Sequence, residues 1–145
     1  MKKLFAFICA TVLVTSTYAY RAEVNEKVLK SFRETFNLAE EVKWEEYNTY
    51  YTVSFVHGGI QSKVNYDKEG SMLSSISYYA PTMLPLNIFN RLKKDYQDKS
   101  LYGVTEVTSG TDVTYFIKMQ DAKNWITIRV DANGNAQVYE KYKRV

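Results

Sequence analysis

His57 is the chain's only histidine, so acid–base or metal-ligating chemistry through an imidazole would have to use it. It stands in Val56-His57-Gly58-Gly59-Ile60, a hairpin-tip sequence where a partner acid or nucleophile is hard to supply, and it reads as a turn residue. Glu40-Glu41 and Glu45-Glu46 are carboxylate pairs, the residue type of glycoside hydrolysis, which needs two acids facing each other across a cleft. These pairs lie close together around a helix-to-strand connection, and a solvated surface is the expected reading. Asp131-Ala132-Asn133-Gly134 opens like a calcium loop but lacks the later acid that would complete one. The sole cysteine, Cys9, excludes a disulfide framework and a cysteine-ligated metal site. No phosphate-cradling glycine loop or serine elbow occurs. The expectation is therefore a non-enzymatic chain with no catalytic residues, metal ligands or cofactor.

What the sequence has in excess is aromatic: 13 tyrosines, 7 phenylalanines and 2 tryptophans in 145 residues, against 6 glycines and 2 prolines. Planar rings pack well on a half-buried pleated surface, which favours strands. In the second half the alternation places Val113, Tyr115, Ile117, Ile126, Ile128, Val130 and Val138 on one face. Phe116, Lys118, Trp125, Arg129 and Tyr139 then face the other way. In the first half the same side is expected to carry Tyr50, Lys63 and Tyr79. Aromatics flanked by arginine and lysine are enriched in binding hot spots. The expected partner-binding residues are thus Trp125, Phe116, Tyr139, Arg129, Tyr50 and Tyr79, with a protein or peptide as partner. Cross-strand pairs that merely cover one another, or a second copy of the chain, are the alternatives.

The elements that must position these residues follow from periodicity. Val24, Val28, Leu29, Phe32 and Phe36 form a helical stripe over residues 25–38 with Asn25 as N-cap, and Ile88, Phe89, Leu92 and Tyr96 repeat it over residues 86–96 behind Pro85. Tyr51, Val53 and Phe55 then alternate, a hairpin follows, and further strands are expected at 60–66 and 72–79. The second half answers with strands from Val113 to Met119, at 125–130 and at 136–141, while residues 42–47 and 103–108 are candidates for one more strand each. Phe36 corresponds to Tyr96, Val53 to Val113, Phe55 to Tyr115, Asp67 to Asp131 and Gly70 to Gly134. The fold class expected is α+β: two tandem α-β-β-β(-β) repeats, 20–80 and 81–145, forming antiparallel sheet with both helices on one face.

Lys2-Lys3, an apolar run over residues 4–14, and a small polar stretch ending in Ala19 read as a signal peptide, 1–19. The run is about 11 residues, where a spanning helix needs roughly 20, so no membrane anchor is expected after cleavage. Removing Lys2 and Lys3 leaves 17 bases against 16 acids, and no basic face stands free of acids, which argues against nucleic acid.

This combination of a lysine-started leader, two helix-plus-sheet repeats, the Trp44-Glu45-Glu46-Tyr47 segment and Asp-x-x-Gly turns at 67–70 and 131–134 resembles the PepSY-like proteins of Bacteroidetes, often labelled β-lactamase-inhibitor-like. The resemblance implies a periplasmic, secreted or surface-exposed binding module, with PepSY-type domains elsewhere linked to the regulation of proteolysis. The inhibitor presents an acidic hairpin tip, whereas the comparable hairpin here, around His57, offers no carboxylate, so β-lactamase inhibition is not carried over. A small-ligand carrier or an enzyme of unrecognised type is the alternative reading.

Overall fold

The computed structural model describes residues 23–144; the leader expected at 1–19 lies outside the described residues. The Asn25 side chain accepts the Lys27 N–H at 2.8 Å, relieving one of the donors that a helix start leaves unpaired, and α1 runs Glu26–Thr35. Val28 and Phe32, one turn apart, are its buried residues. The helix ends before residue 38 because Phe36 turns out of helical geometry, at φ −127°, and packs its ring against Phe55, tilted by 51° with centres 4.6 Å apart. Leu38 beyond it is 74% exposed. α2, Leu86–Asp95, buries Ile88 and Leu92 and leaves at Tyr96 in the same way, with φ −127° and its N–H bonded to the Leu92 carbonyl at 2.9 Å.

Eight strands complete the chain: β1 (Glu40–Glu46), β2 (Tyr50–His57), β3 (Ile60–Asp67), β4 (Met72–Tyr79), β5 (Ser100–Ser109), β6 (Asp112–Gln120), β7 (Asn124–Asp131) and β8 (Ala136–Lys143). They form one antiparallel sheet in sequence order. A helix followed by four strands therefore occurs twice, with a short 3-10 turn, Pro81–Met83, between. The two candidate segments are real strands, β1 and β5. Direct pairing of β4 with β5, from Ser74↔Ser109 to Tyr79↔Val104, makes the sheet continuous rather than two abutting pieces.

Both helices cover the same face. Under α1 lie Tyr51, Val53, Phe55, Val64 and Tyr66; under α2 lie Val104, Tyr115, Ile117, Met119, Ile126, Ile128 and Val130. Each such side chain contributes on the order of 1.5–3 kcal/mol by leaving water. Between the two clusters, the helix side of β4 carries Ser75 and Ser77, and Ser77 shares a 2.9 Å hydrogen bond with Ser62 of β3. Val138 departs from expectation: it pairs with core residue Ile128, yet it is 60% exposed. It sits on the edge strand, beyond the width that α2 can cover.

Turns account for five of the glycines. Gly58 and Gly59, at φ 57° and 79°, are the two central residues of a two-residue hairpin, the geometry that keeps two twisted strands in register. Asp67 accepts the N–H groups of Glu69 and Ser71 at 2.9 and 2.8 Å, and Asp131 accepts those of Asn133 and Asn135, both at 2.9 Å. These paired turns are the same device, each closed by a glycine of positive φ, Gly70 or Gly134.

Candidate functional site: the open sheet face

The sheet face away from the helices is covered by no other element among the described residues. Paired residues in neighbouring strands share a face, so one row can be followed across six strands: Gln61, Tyr78, Thr105, Phe116, Arg129 and Gln137 are partners in succession. Two bulges add rings to this row. In β5 the register skips between Leu101 and Gly103, leaving Tyr102 as the extra residue, and its ring meets Trp125 edge-on at 5.1 Å. In β8 the skip places Tyr139 between Val138 and Glu140, with its ring against Phe116 at 5.1 Å and 72°. Such edge-to-face pairs contribute about 0.5–1.5 kcal/mol beyond area burial.

Cations border the rings. The Lys118 ammonium stands 5.2 Å from the Trp125 ring centre and the Arg144 guanidinium 6.0 Å from it, while Arg129 is the cross-strand partner of Phe116. Lys118, Arg129 and Arg144 form no ion pair among the described residues, whereas Lys63, elsewhere on the same face, reaches Glu45 at 3.7 Å. Trp125 is half-buried by its neighbours rather than by a helix, and Tyr139 is 56% exposed; Ile126 and Ile128, on the other face, are buried.

Of the six residues singled out from sequence, Trp125, Phe116, Tyr139 and Arg129 thus come together. Tyr50 shares the face but not the patch. It pairs with Asp67 at the opposite end of β2, about 20 Å along the strand from the row that crosses Gln61, and stacks on Tyr47 at 4.5 Å. Tyr79 belongs to the other face. It pairs with Val104 and packs against the α2 core cluster, and its hydroxyl donates to the Glu106 carboxylate at 2.5 Å. Burial, then that hydrogen bond and the carboxylate charge, push its phenol well above the ordinary range. The phase error arises on β4, where the register skips between Asn65 and Tyr66 and where Ile76 faces outward while serines face the helices. Tyr78, 50% exposed, takes the outward position.

Sequence reasoning missed Tyr78, Tyr102 and Tyr142, the last opposite Trp125 and 60% exposed. Signals pointed to two of them: for Tyr102, Gly103 inside a strand, which often marks a bulge, and for Tyr142 its odd spacing from Tyr139, which a strict alternation cannot put on one face. His57 lies apart from the patch, its ring edge-on to Phe36 at 5.9 Å. No grouping of three or more His, Cys, Asp or Glu able to hold a metal occurs among the described residues, and no helix there is long and apolar enough to cross a membrane.

The architecture defines a class: an α+β protein with an open eight-stranded antiparallel meander, two helices on one face and a bare aromatic second face. Three solved structures, all from Bacteroides, are similar to the chain in fold. A BLIP-like protein of Bacteroides fragilis is 13% identical, with 84% of this chain and 87% of that one covered at a TM-score of 0.61. A Bacteroides eggerthii protein provisionally assigned to the periplasm is 16% identical over 84% and 90%, at 0.58. A DUF2874 family protein of Bacteroides uniformis is 16% identical over 82% and 88%, at 0.57. At these identities the likeness is one of fold. No family model matches the sequence, and no curated protein does.

Proposed function

We propose that the chain is an exported, non-enzymatic binding module of the PepSY-like, β-lactamase-inhibitor-like kind that holds a protein or peptide partner on its open sheet face. One observation carries this: Phe116, Trp125, Tyr139, Tyr102 and Tyr78 gather on a face that no element covers, beside cations without carboxylate partners among the described residues. Aromatic rings and arginine are the residues around which interface energy concentrates, and exposed apolar patches rimmed by polar residues mark interaction sites. The resemblance to BLIP-like and provisionally periplasmic proteins supports export and partner binding, and regulation of proteolysis is the cellular role in keeping with the PepSY likeness. Affinity capture from a periplasmic extract tests the reading. A partner held by the wild-type protein and by Lys93→Ala should be retained about tenfold less by the Phe116→Ala/Trp125→Ala double variant, with its circular dichroism unchanged. Equal retention by all three proteins would remove the open face as the binding surface. Loss of a concentration-dependent dimer in the double variant, with no partner captured, would replace a foreign partner by self-association.

A further inference from the structure

We infer that a hollow beside Tyr102 is the anchor pocket of the open face and takes an aromatic side chain from a partner segment whose adjacent carboxylates meet Lys118 and Arg129. This rests on the reading of that face as a partner-binding surface. The hollow, ≈ 310 Å³, is lined by Tyr78, Tyr102, Gly103, Thr105, Phe116 and Lys118, among others. Gly103 is the informative residue. Gly58, Gly59, Gly70, Gly110 and Gly134 all have positive φ, so a turn requires each of them, and Gly103 has not. A Cβ built on Gly103 would meet no atom within 4 Å, so internal packing does not require glycine either. It sits inside β5 beside the Tyr102 bulge, at a position with no positive φ to demand a glycine, and a glycine within a strand marks such a bulge or close approach by a ligand or another chain.

Gly103 shares the outward face with its partner Lys118, so a side chain at position 103 would project into the hollow. As a glycine it leaves that space empty. The rings that line it, Tyr78, Tyr102 and Phe116, select a flat apolar occupant that they can meet face and edge. Charge selects its neighbours: Lys118, Arg129 and Arg144 share the face with two carboxylates, Glu140, in register with Thr127, and Asp131, which stands two residues beyond Arg129 with its oxygens taken up by the turn N–H groups, and they form an ion pair with neither. The occupant is accordingly an acidic peptide segment with a central aromatic residue.

The test uses the isotope-labelled protein as processed by the cell and the capped tripeptide Glu-Phe-Glu, read by amide chemical shifts. Saturable shifts are expected at Tyr102, Gly103, Thr105, Phe116 and Lys118, with Lys-Phe-Lys and Glu-Ala-Glu binding about tenfold more weakly. Gly103→Val should abolish these shifts while raising the urea midpoint, because a β-branched residue suits a strand better than glycine. Unchanged binding by Gly103→Val, equal binding of Lys-Phe-Lys, shifts produced by maltohexaose in place of the peptide, or no shift at millimolar peptide would each overturn the pocket. Should Gly103→Val fail to fold, Lys118→Glu decides: it should reverse the preference toward Lys-Phe-Lys, and an unaltered preference overturns the proposal. Binding that survives Gly103→Val but is lost in Trp125→Ala removes the pocket and leaves the open-face reading intact. Binding that survives both removes both.

Discussion

Gly70 and Gly134 close equivalent turns, yet their surroundings differ. Both have positive φ, at 94° and 83°, which an alanine adopts only at a cost of about 1–3 kcal/mol. A Cβ at Gly70 would also stand 2.9 Å from the Ser31 hydroxyl and 3.0 Å from the Lys27 carbonyl of α1, whereas one at Gly134 would meet only the end of the Arg91 side chain at 3.5 Å. The first neighbour includes helix backbone and cannot give way; the second is a flexible guanidinium. Gly70→Ala should therefore lose about 1–3 kcal/mol more than Gly134→Ala, as read from urea unfolding. Equal losses would mean that the first turn does not press against α1. The ion pair of Lys27 with Glu69 and the Asn25 amide's contact with the Lys68 carbonyl at 3.4 Å fasten the same turn to the same helix.

Each helix is held to the sheet by few residues, since α1 buries Val28 and Phe32 and α2 buries Ile88 and Leu92. Phe32 meets Phe36, Trp44 and Phe55 with ring centres 5.1–5.6 Å apart, so its loss leaves a cavity lined by rigid rings. Phe32→Ala and Leu92→Ala should each lower stability by about 2–5 kcal/mol, while exposed Lys93→Ala should change it by less than about 0.5 kcal/mol. Comparable losses at all three positions in thermal or urea unfolding would contradict the assigned faces. At the sheet's margins, β8 carries Lys141 and Lys143, and β1 carries four glutamates and a bulge next to Glu41 at φ 54°, features that discourage pairing with further strands.

For the molecule as a whole, two sets of groups set the pH limits of stability. Asp67 and Asp121 accept turn N–H groups, Asp131 accepts the Asn135 side-chain amide and then turn N–H groups, and these hydrogen bonds hold all three carboxyls below the ordinary value of 3.8. A depressed folded pKa gives stability that is present above pH 3.8 and is lost as pH falls through the folded value. At the other limit, burial pushes the Tyr66 phenol up to about 12 and raises Tyr79 and Tyr115 as well. Stability from these groups is complete below the ordinary phenol value of 10.0 and declines as pH rises toward the folded values. Tyr66 is 1% exposed, and its hydroxyl has no hydrogen-bond partner among the described residues. Tyr66→Phe should therefore stabilise the fold by about 1–2 kcal/mol at neutral pH and move the alkaline limit upward, whereas Asp67→Asn with Asp131→Asn should flatten the acid limb. Denaturation midpoints measured across the pH range check both; a Tyr66→Phe variant less stable at neutral pH would show that the hydroxyl has a partner in solution.

Periodicity and turn chemistry are local, and they were enough to find both helices, the strand phases of β2, β6 and β7, the paired Asp–Gly turns and the outward side of Phe116, Trp125 and Arg129. Tertiary pairing decided what local patterning leaves open. The phase of β4 depends on a bulge opposite β3, which sends Tyr78 outward and Tyr79 to Glu106. Tyr102 reaches Trp125 through a second bulge. Val138 has the inward phase but lies past the cover of α2. A one-residue slip reverses every side chain beyond it, and only the register between strands fixes where such slips fall. The separation of Tyr50 from the aromatic patch has the same origin: face is a local property of a strand, whereas position along and across the sheet is set by pairing of residues far apart in the chain.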